Sequence, residues 1–367
     1  MAATQIRFSK YPKMLEDTFK APQGAKVSKA SKWVVTEKVH GANFSVIVSP
    51  SGDVHFAKRT AVLDEKDDFY SFRSAGLADA LRFLAPKVVE HLAKELPSGE
   101  RLRQCPVHIF GELCGGHYPH PDTPSVEGLQ PVQMGVWYSP KIEFIGFDVA
   151  ISVPGVQEDI EFEWIDWEMA SKVCRASGMH FIPALAKGSL SECLGFNNRF
   201  TSRIATELFS LPSLESDEDS VNLSEGVVVR PLHEIDPSGK CRGLFKRKIE
   251  EFAESKVYRN DDWKKGKEGG AGRSKGSASE EEIVKFEIMS LITPQRVDNT
   301  LSKIGRVVLG DKKACRELLD AYKEDVIQSL AESDQLVVRR SVLLQAILED
   351  EGKAAVIQRL RQIAKGV

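Results

Sequence analysis

Within seven residues, Glu37-Lys38-Val39-His40-Gly41-Ala42-Asn43 gathers a carboxylate, an amine, an imidazole and an amide around a glycine. A lysine amine is a nucleophile only once its proton has left. Because free lysine has a pKa of about 10.4, that requires neighbouring cations or desolvation. The Lys-x-x-Gly spacing carries no weight alone, since Lys240-Cys241-Arg242-Gly243 and Lys267-Glu268-Gly269-Gly270 also satisfy it. By itself Lys38 reads as an ordinary hairpin lysine, so its meaning depends on the polar residues that follow it.

Two of these are glutamates. Val107-His108-Ile109-Phe110-Gly111-Glu112-Leu113 ends in a carboxylate, and Leu223-Ser224-Glu225-Gly226-Val227-Val228-Val229-Arg230 begins with one. A glutamate buried in such a run is costly unless it meets a cation, a hydroxyl or a metal. In Gly243-Leu244-Phe245-Lys246-Arg247-Lys248-Ile249, Lys246 and Lys248 fall on one face of a strand, with Phe245, Arg247 and Ile249 on the other. Paired ammonium groups repel unless an anion such as a nucleotide phosphate lies between them. The plainer alternative is an edge strand whose lysines discourage aggregation. Arg59, in Lys58-Arg59-Thr60, offers a fork of donors for phosphate or sugar. Phe147, in Phe144-Ile145-Gly146-Phe147-Asp148-Val149, presents a ring that can stack on a base or simply fill a core.

Such residues need rigid supports. Trp33-Val34-Val35-Thr36 and Phe44-Ser45-Val46-Ile47-Val48 read as strands on either side of Lys38, with Gly41 as a turn or bulge that bends sharply or approaches a ligand closely. Short β-branched and aromatic runs at Val107 to Phe110, Phe144 to Val149 and Val227 to Val229 predict further strands. Helical periodicity appears near Ala75 to Leu96 and Trp167 to Ser177. Later, Ser279 and Glu282 have capping-box spacing ahead of Ile283 to Leu291, and Thr293-Pro294 starts a helix towards Ile304. Periodic stretches from Lys312 to Leu330 and from Val337 to the end complete a helical region.

The segment from Lys264 to Ser277, dense in glycine, serine and lysine, cannot bury apolar area and reads as a linker. The plan is therefore α+β over residues 1–255, a flexible basic linker over 256–279 and a helical domain over 280–367. The net charge is only −3, but cations crowd between Lys240 and Lys275 and acids at Glu215-Ser216-Asp217-Glu218-Asp219. Phosphate contacts by the basic stretch would be strongly salt-dependent.

The 42% apolar content suits a globular protein, and no run approaches the roughly 20 apolar residues of a membrane span. The six cysteines lack CxxC spacing, which argues against a zinc site or a disulfide framework. With no secretory signal pattern at the start, the expectation is a cytoplasmic or nuclear monomer that is not secreted and has no membrane partner.

Together these motifs resemble the phage-type RNA ligase 2 family, the double-strand-repairing branch of the covalent nucleotidyltransferases that includes RNA-editing ligases. Glu37 to Ser45 match its nucleophile motif, followed in order by Lys58-Arg59-Thr60, Phe110-Gly111-Glu112, Phe147-Asp148, Glu225-Gly226 and Lys246-Arg247-Lys248. Arg296-Val297-Asp298-Asn299 and Ile304-Gly305 resemble the family's helical C-terminal domain. The resemblance implies an α+β nucleotidyltransferase fold, with ATP-grasp-like antiparallel sheets and flanking helices, plus that small all-helical domain.

It also implies an ATP-dependent RNA ligase that joins a 3′-hydroxyl to a 5′-phosphate, at nicks in duplex RNA, through lysyl-AMP and an RNA adenylate. ATP and Mg²⁺ or Mn²⁺ are the implied cofactors and RNA the implied partner. Lys38 would be the nucleophile, with Lys246 and Lys248 catalytic and holding phosphate oxygens. Glu37, His40 and Asn43 would lie beside the nucleotide, Arg59 and Glu112 would serve the ribose, Phe147 would stack on adenine, and Glu225 would help hold the metal. Phe69-Tyr70 resembles an aromatic pair of the family. Ala42 departs from the threonine the family often has there, which removes one hydroxyl.

Other readings are a DNA ligase or mRNA capping guanylyltransferase, and a catalytically silent RNA-binding protein with the same fold. The first two usually carry aspartate where His40 stands and continue into an oligonucleotide-binding barrel, whereas helical periodicity follows here. The silent protein would be expected to have lost Lys38, Glu225 or Lys248, and all three are present.

Overall fold

The computed structural model describes residues 8–12, 14, 32–96, 101–154, 160–214, 222–234, 242–252, 288, 291–332 and 342–365. The capping box at Ser279, the linker, the acidic run at Glu215 and most of the basic stretch lie outside the described residues. The chain divides into two compact units, Met1–Ile249 and Glu250–Val367.

The first unit is built on ten strands among the described residues: β1 (Trp33–Glu37), β2 (Ala42–Val48), β3 (Val54–Lys58), β4 (Ala61–Val62), β5 (Val107–His117), β6 (Ser139–Pro154), β7 (Ile160–Trp164), β8 (Ala184–Gly188), β9 (Gly226–Pro231) and β10 (Phe245–Lys248). They form a six-stranded sheet, in the order β4-β3-β2-β5-β6-β7, and a four-stranded sheet, in the order β10-β9-β1-β8. Pairing between these strands is antiparallel throughout. The chain therefore changes sheets between β1 and β2, at the segment that contains Lys38.

Gly41 sits at a bend in this crossing, and its lack of a side chain serves packing as well. A Cβ there would lie 2.0 Å from the Leu113 carbonyl oxygen, so the missing side chain lets the chain pass against β5.

Helices α1 (Leu77–Glu95) and α2 (Trp167–Ala176) flank the sheets. The spacing of Ala78, Leu81, Ala85, Val88 and Leu92 puts one apolar stripe of α1 inward, where it meets β2, β3 and α2. Short α3 (Leu190–Leu194) starts with a complete capping box, Ser189 with Glu192, and covers β1 and β8. Its Cys193 joins Trp33, Val35, Val227, Val229 and Phe245 in a core on one face of the four-stranded sheet. Burial of each such large side chain contributes roughly 1.5–3 kcal/mol.

A buried ionic cluster ties the two sheets together. Asp148 of β6 is wholly enclosed and accepts paired hydrogen bonds from Arg230 of β9, at 3.0 and 3.1 Å, and from Arg242, at 2.8 and 3.1 Å. Tyr11 donates to the same carboxylate at 2.8 Å, and Glu234 accepts further hydrogen bonds from both guanidinium groups. Burial alone would raise the pKa of Asp148, but the two guanidinium groups overcome it and hold the carboxyl below its usual range. Removing one partner of such a group costs about 3–5 kcal/mol, because the others stay buried and charged.

The second unit contains α4 (Pro294–Ile304), α5 (Lys312–Glu332), α6 (Val342–Ile347) and α7 (Lys353–Ala364). Thr293 caps α4, its hydroxyl accepting the Arg296 N–H at 3.2 Å, with Pro294 in the first turn. Leu318, Tyr322, Val326 and Leu330 form an i,i+4 row on α5 that packs with Val297, Leu301, Leu344, Leu348, Val356 and Leu360. Arg296-Val297-Asp298-Asn299 acts as a clamp within this bundle: Arg296 pairs with Asp325 of α5 at 2.6 Å, and Asp298 pairs with Arg359 of α7 at 2.8 Å.

Candidate active site

Three strand ends meet where β1 finishes, β9 begins and β10 finishes. Lys248 lies opposite Gly226 in the β10/β9 register, and the Lys38 N–H extends the β1/β9 ladder by donating to the Gly226 carbonyl at 2.9 Å. Residues far apart in sequence thus flank one peptide unit. Gly226 permits this: its φ is +140°, and a Cβ there would lie 2.1 Å from the Arg247 carbonyl oxygen.

Glu225 stands at the centre, 2% exposed. Lys38 Nζ donates to its Oε2 at 2.6 Å, and Lys248 Nζ lies 3.1 Å from Oε1. Burial pushes the Glu225 pKa up, but the two ammonium groups, with His40, reverse this and hold it well below the ordinary carboxylate range. The glutamate is ionised, and one lysine occupies each oxygen. Lys246 is half-buried on the Lys248 face of β10, while the Arg247 guanidinium turns the other way, donating to the carbonyls of Leu194 at 2.6 Å and Phe196 at 3.0 Å.

His40 is held on three sides. Its Nδ1 is 3.3 Å from Glu225 Oε2, its Nε2 is 3.1 Å from the Met134 carbonyl, and its backbone N–H donates to the Tyr138 hydroxyl at 2.9 Å. A neutral ring can donate to one of the two oxygens; a ring with both nitrogens protonated donates to both.

Glu112 lies on β5 opposite Asn43 of β2. Burial raises its pKa to about 8, against the pull of Lys38, Arg59 and Asn43 and with the push of Glu225, so near neutrality its carboxyl holds a proton. Arg59 follows β3, half-buried, and is influenced by Glu112 and Tyr11. Phe147 is half-buried beside Asp148, its ring meeting that of Tyr11 edge-on at 5.1 Å, while Arg230 donates to its carbonyl at 3.1 Å. Glu37 faces the segment 202–207: its Oε2 accepts the Arg203 N–H at 3.0 Å, and burial raises its pKa to about 7.

Lys38, His40, Glu225 and Lys248 therefore form one connected cluster, and Glu112, Asn43 and Arg59 form a second that Lys38 influences electrostatically. Sequence reasoning does not find Tyr138, Met134, Asn222 or the arginines around Asp148. For Asp148 there is a signal, since an aspartate within an apolar strand requires buried cations. For Tyr138 and Asn222, in irregular segments, there is none.

Among the described residues, no three His, Cys, Asp or Glu side chains converge into a metal cage. Glu225 is the carboxylate that the sequence offers to a Mg²⁺- or Mn²⁺-type ion, but Lys38 and Lys248 take its two oxygens, so an ion held there would have to displace an ammonium group and draw most of its ligands from water and phosphate. Also among the described residues, no helix is long and apolar enough to cross a membrane.

The sequence profile of the RNA ligase family matches residues 31–248. RNA-editing ligase 1, mitochondrial, of Trypanosoma brucei brucei is 28% identical over 361 residues, covering 87% of this chain and 74% of that protein. RNA-editing ligase 2, mitochondrial, of the same organism (strain 927/4 GUTat10.1) is 27% identical over 234 residues, covering 59% and 53%. Among solved structures, a Naegleria gruberi RNA ligase mutant with ATP and Mn aligns with a TM-score of 0.38 at 14% identity, over 66% of this chain and 57% of that one. An archaeal ATP-dependent RNA ligase aligns with a TM-score of 0.36 at 12% identity, over 98% and 67%. The profile spans more than half of the chain and runs from just before β1 to Lys248, enclosing every strand end that meets at Glu225, and on that match the chain belongs to the RNA ligase family.

Proposed function

We propose that this RNA ligase uses ATP to join RNA ends in three displacements and that Lys38 is its covalent nucleophile. In the first, the Lys38 amine attacks the α-phosphorus of ATP, the bond to pyrophosphate breaks, and lysyl-AMP forms. In the second, an oxygen of an RNA 5′-phosphate attacks the AMP phosphorus and Lys38 leaves. In the third, a neighbouring 3′-hydroxyl attacks the 5′-phosphate, AMP departs, and the strand is sealed. The observation that carries this reading is the lysine, glutamate, lysine arrangement at one strand junction, with Lys38 Nζ 2.6 Å and Lys248 Nζ 3.1 Å from Glu225.

The division of labour follows from charge. At rest Glu225 fixes the Lys38 ammonium group in place, and attack requires that group to lose its proton. Lys246 and Lys248 supply positive charge that disfavours a second ammonium group nearby and stabilises the oxygens of the transferring phosphoryl group. A bound divalent ion would add Lewis-acid stabilisation of those oxygens. Glu112 and Arg59 are assigned to the ribose, Phe147 to the adenine ring, and His40, Asn43 and Glu37 to the nucleotide's surroundings.

Nicked duplex RNA is the proposed substrate, with the helical unit helping to grip it across the basic segment 256–279. The domain limits are those proposed from sequence: 1–255, 256–279 and 280–367. Cys105, Cys114, Cys174, Cys193 and Cys315 are free thiols, which supports a reducing compartment, cytoplasmic or nuclear. The test is self-labelling with ATP carrying label on its α-phosphate. Lys248→Ala is expected to lower the labelling rate by at least about 100-fold, the scale of losing one charge-stabilising group, and wild-type labelling by that variant removes its phosphate role.

A further inference from the structure

The connection between β5 and β6, residues 118–138, has no regular structure, yet it supplies two of the contacts that hold His40. Its end is tied to the sheet on both sides, by the Val132 N–H donating to the Gly115 carbonyl at 2.9 Å and by Ser139 pairing with His117, but between these ties no ladder sets the path of Met134 and Trp137. Asn222 provides such a tie. Its Oδ1 accepts the Trp137 N–H at 2.9 Å, and its Nδ2 donates to the Trp137 carbonyl at 2.8 Å, so one side chain satisfies both polar groups of a single residue as a partner strand would. Trp137 directly precedes Tyr138 and lies three positions after Met134.

Asn222 is itself fixed. It is 7% exposed, its carbonyl accepts the Ser202 N–H at 2.8 Å, and the adjacent Leu223 bridges Thr201. Three residues further on, Glu225 meets His40 and Lys38. The contacts close a ring: from Asn222 to Trp137, along the chain to Met134 and Tyr138, across to His40, across again to Glu225, and back along the chain to Asn222. Within this ring, the placement of His40 against Glu225 depends in part on how Asn222 places Trp137.

We propose that Asn222 is a positioning residue for the nucleophile, acting through His40 on the Glu225 carboxylate that fixes Lys38; this rests on the proposed adenylylation chemistry. Loss of the amide frees Met134 and Tyr138 to shift, and displacement of reacting groups by about 1 Å is enough to cost on the order of 100-fold in rate. Asn222 has no assigned contact with the nucleotide, so the loss falls on the rate at saturating ATP rather than on ATP affinity.

The experiment is a double-mutant cycle in the full-length protein, measuring single-turnover self-adenylylation across ATP concentrations. Asn222→Ala is expected to slow the saturated rate about 10- to 100-fold with little change in half-saturating ATP. Combined with His40→Ala, it is expected to add nothing to the loss caused by His40→Ala alone. A general structural weakening predicts the reverse, with the two losses multiplying. Multiplied losses, or a wild-type rate for Asn222→Ala, overturn the proposal. If the alanine variant does not accumulate folded, the near-isosteric Asn222→Asp, which loses the donor to the Trp137 carbonyl, takes its place in the cycle, and the same outcomes support or overturn the proposal. Absence of label on the wild-type protein overturns the chemistry on which the proposal rests, whereas wild-type labelling with multiplied losses overturns the positioning role alone.

Discussion

At the scale of residues, the site depends on how burial and charge divide the glutamates. Glu225, between two ammonium groups, stays ionised, whereas Glu112, more weakly compensated, has its pKa raised to about 8. For Glu112 the folded state holds a proton that the unfolded state, titrating near 4.5, releases. Stability is therefore lost as pH rises through the window from 4.5 to about 8. Glu112→Gln removes that dependence, and thermal melts at about pH 8.5 should show it more stable than the wild type, relative to their difference at about pH 4. Equal pH dependence of the two proteins contradicts a protonated Glu112.

Much of this scale is legible in sequence. Lys38, Glu225 and Lys248 stand out by type, and the requirement that Glu225 meet cations is met by the lysines themselves. The ties around His40 are not legible, because Tyr138 and Asn222 act through segments whose path no periodicity encodes. Gly41 reads as a turn or bulge in sequence and is a bend in the structure, but that its smallness also lets one strand pass against another is a fact of tertiary packing.

At the scale of elements, β-branched and aromatic runs mark β1, β2, β5, β6 and β9, but the structure makes some of them longer. The run from Val107 to Phe110 continues to His117, and that from Phe144 to Val149 extends from Ser139 to Pro154. Glycine at 111, 115, 116 and 146 obscures these extensions; added Cβ atoms at Gly111 and Gly115 would lie 2.4 and 2.1 Å from neighbours, so close packing outweighs weak strand propensity there. The assignment of strands to two sheets is not readable, since it depends on the crossing at Lys38 and on the Asp148 cluster.

Strand β5 also carries His108, 1% exposed, with both ring nitrogens unpartnered, stacked on Phe110 and edge-on to Phe162. Burial lowers its pKa from 6.5 to about 3, so the ring stays neutral in the fold while the unfolded chain takes up a proton below 6.5. Stability is lost as pH falls from 6.5 towards 3. His108→Phe should abolish this loss and, at about pH 5, gain about 2 kcal/mol over the wild type relative to their difference at neutral pH. Parallel denaturation curves at both pH values contradict the assignment.

At the scale of the whole molecule, the chain consists of two units with separate cores, and the Lys38 cluster belongs wholly to the first. The periodicity of α4, α5 and α7 is plain in sequence, because each helix carries one continuous apolar stripe. The ion pairs of Arg296 and Asp298 are not, since they depend on which helices become neighbours. Truncation after residue 265 is expected to leave self-adenylylation within about threefold of the full-length rate, while sealing of nicked duplex RNA falls by at least about tenfold and, with fewer phosphate contacts, becomes less salt-sensitive. Equal sealing by the truncated protein contradicts an RNA-gripping role for the helical unit.

The central claim is that Lys38 becomes covalently adenylylated. The most direct measurement incubates the purified protein and Lys38→Ala with Mg²⁺ and either α-labelled ATP or α-labelled GTP, and then assays acid-labile label on the protein. The prediction is label from ATP on the wild type, none from GTP, and none from ATP on Lys38→Ala. Label that persists without Lys38, label drawn from GTP, or no label on folded, nucleotide-free wild-type protein would contradict it.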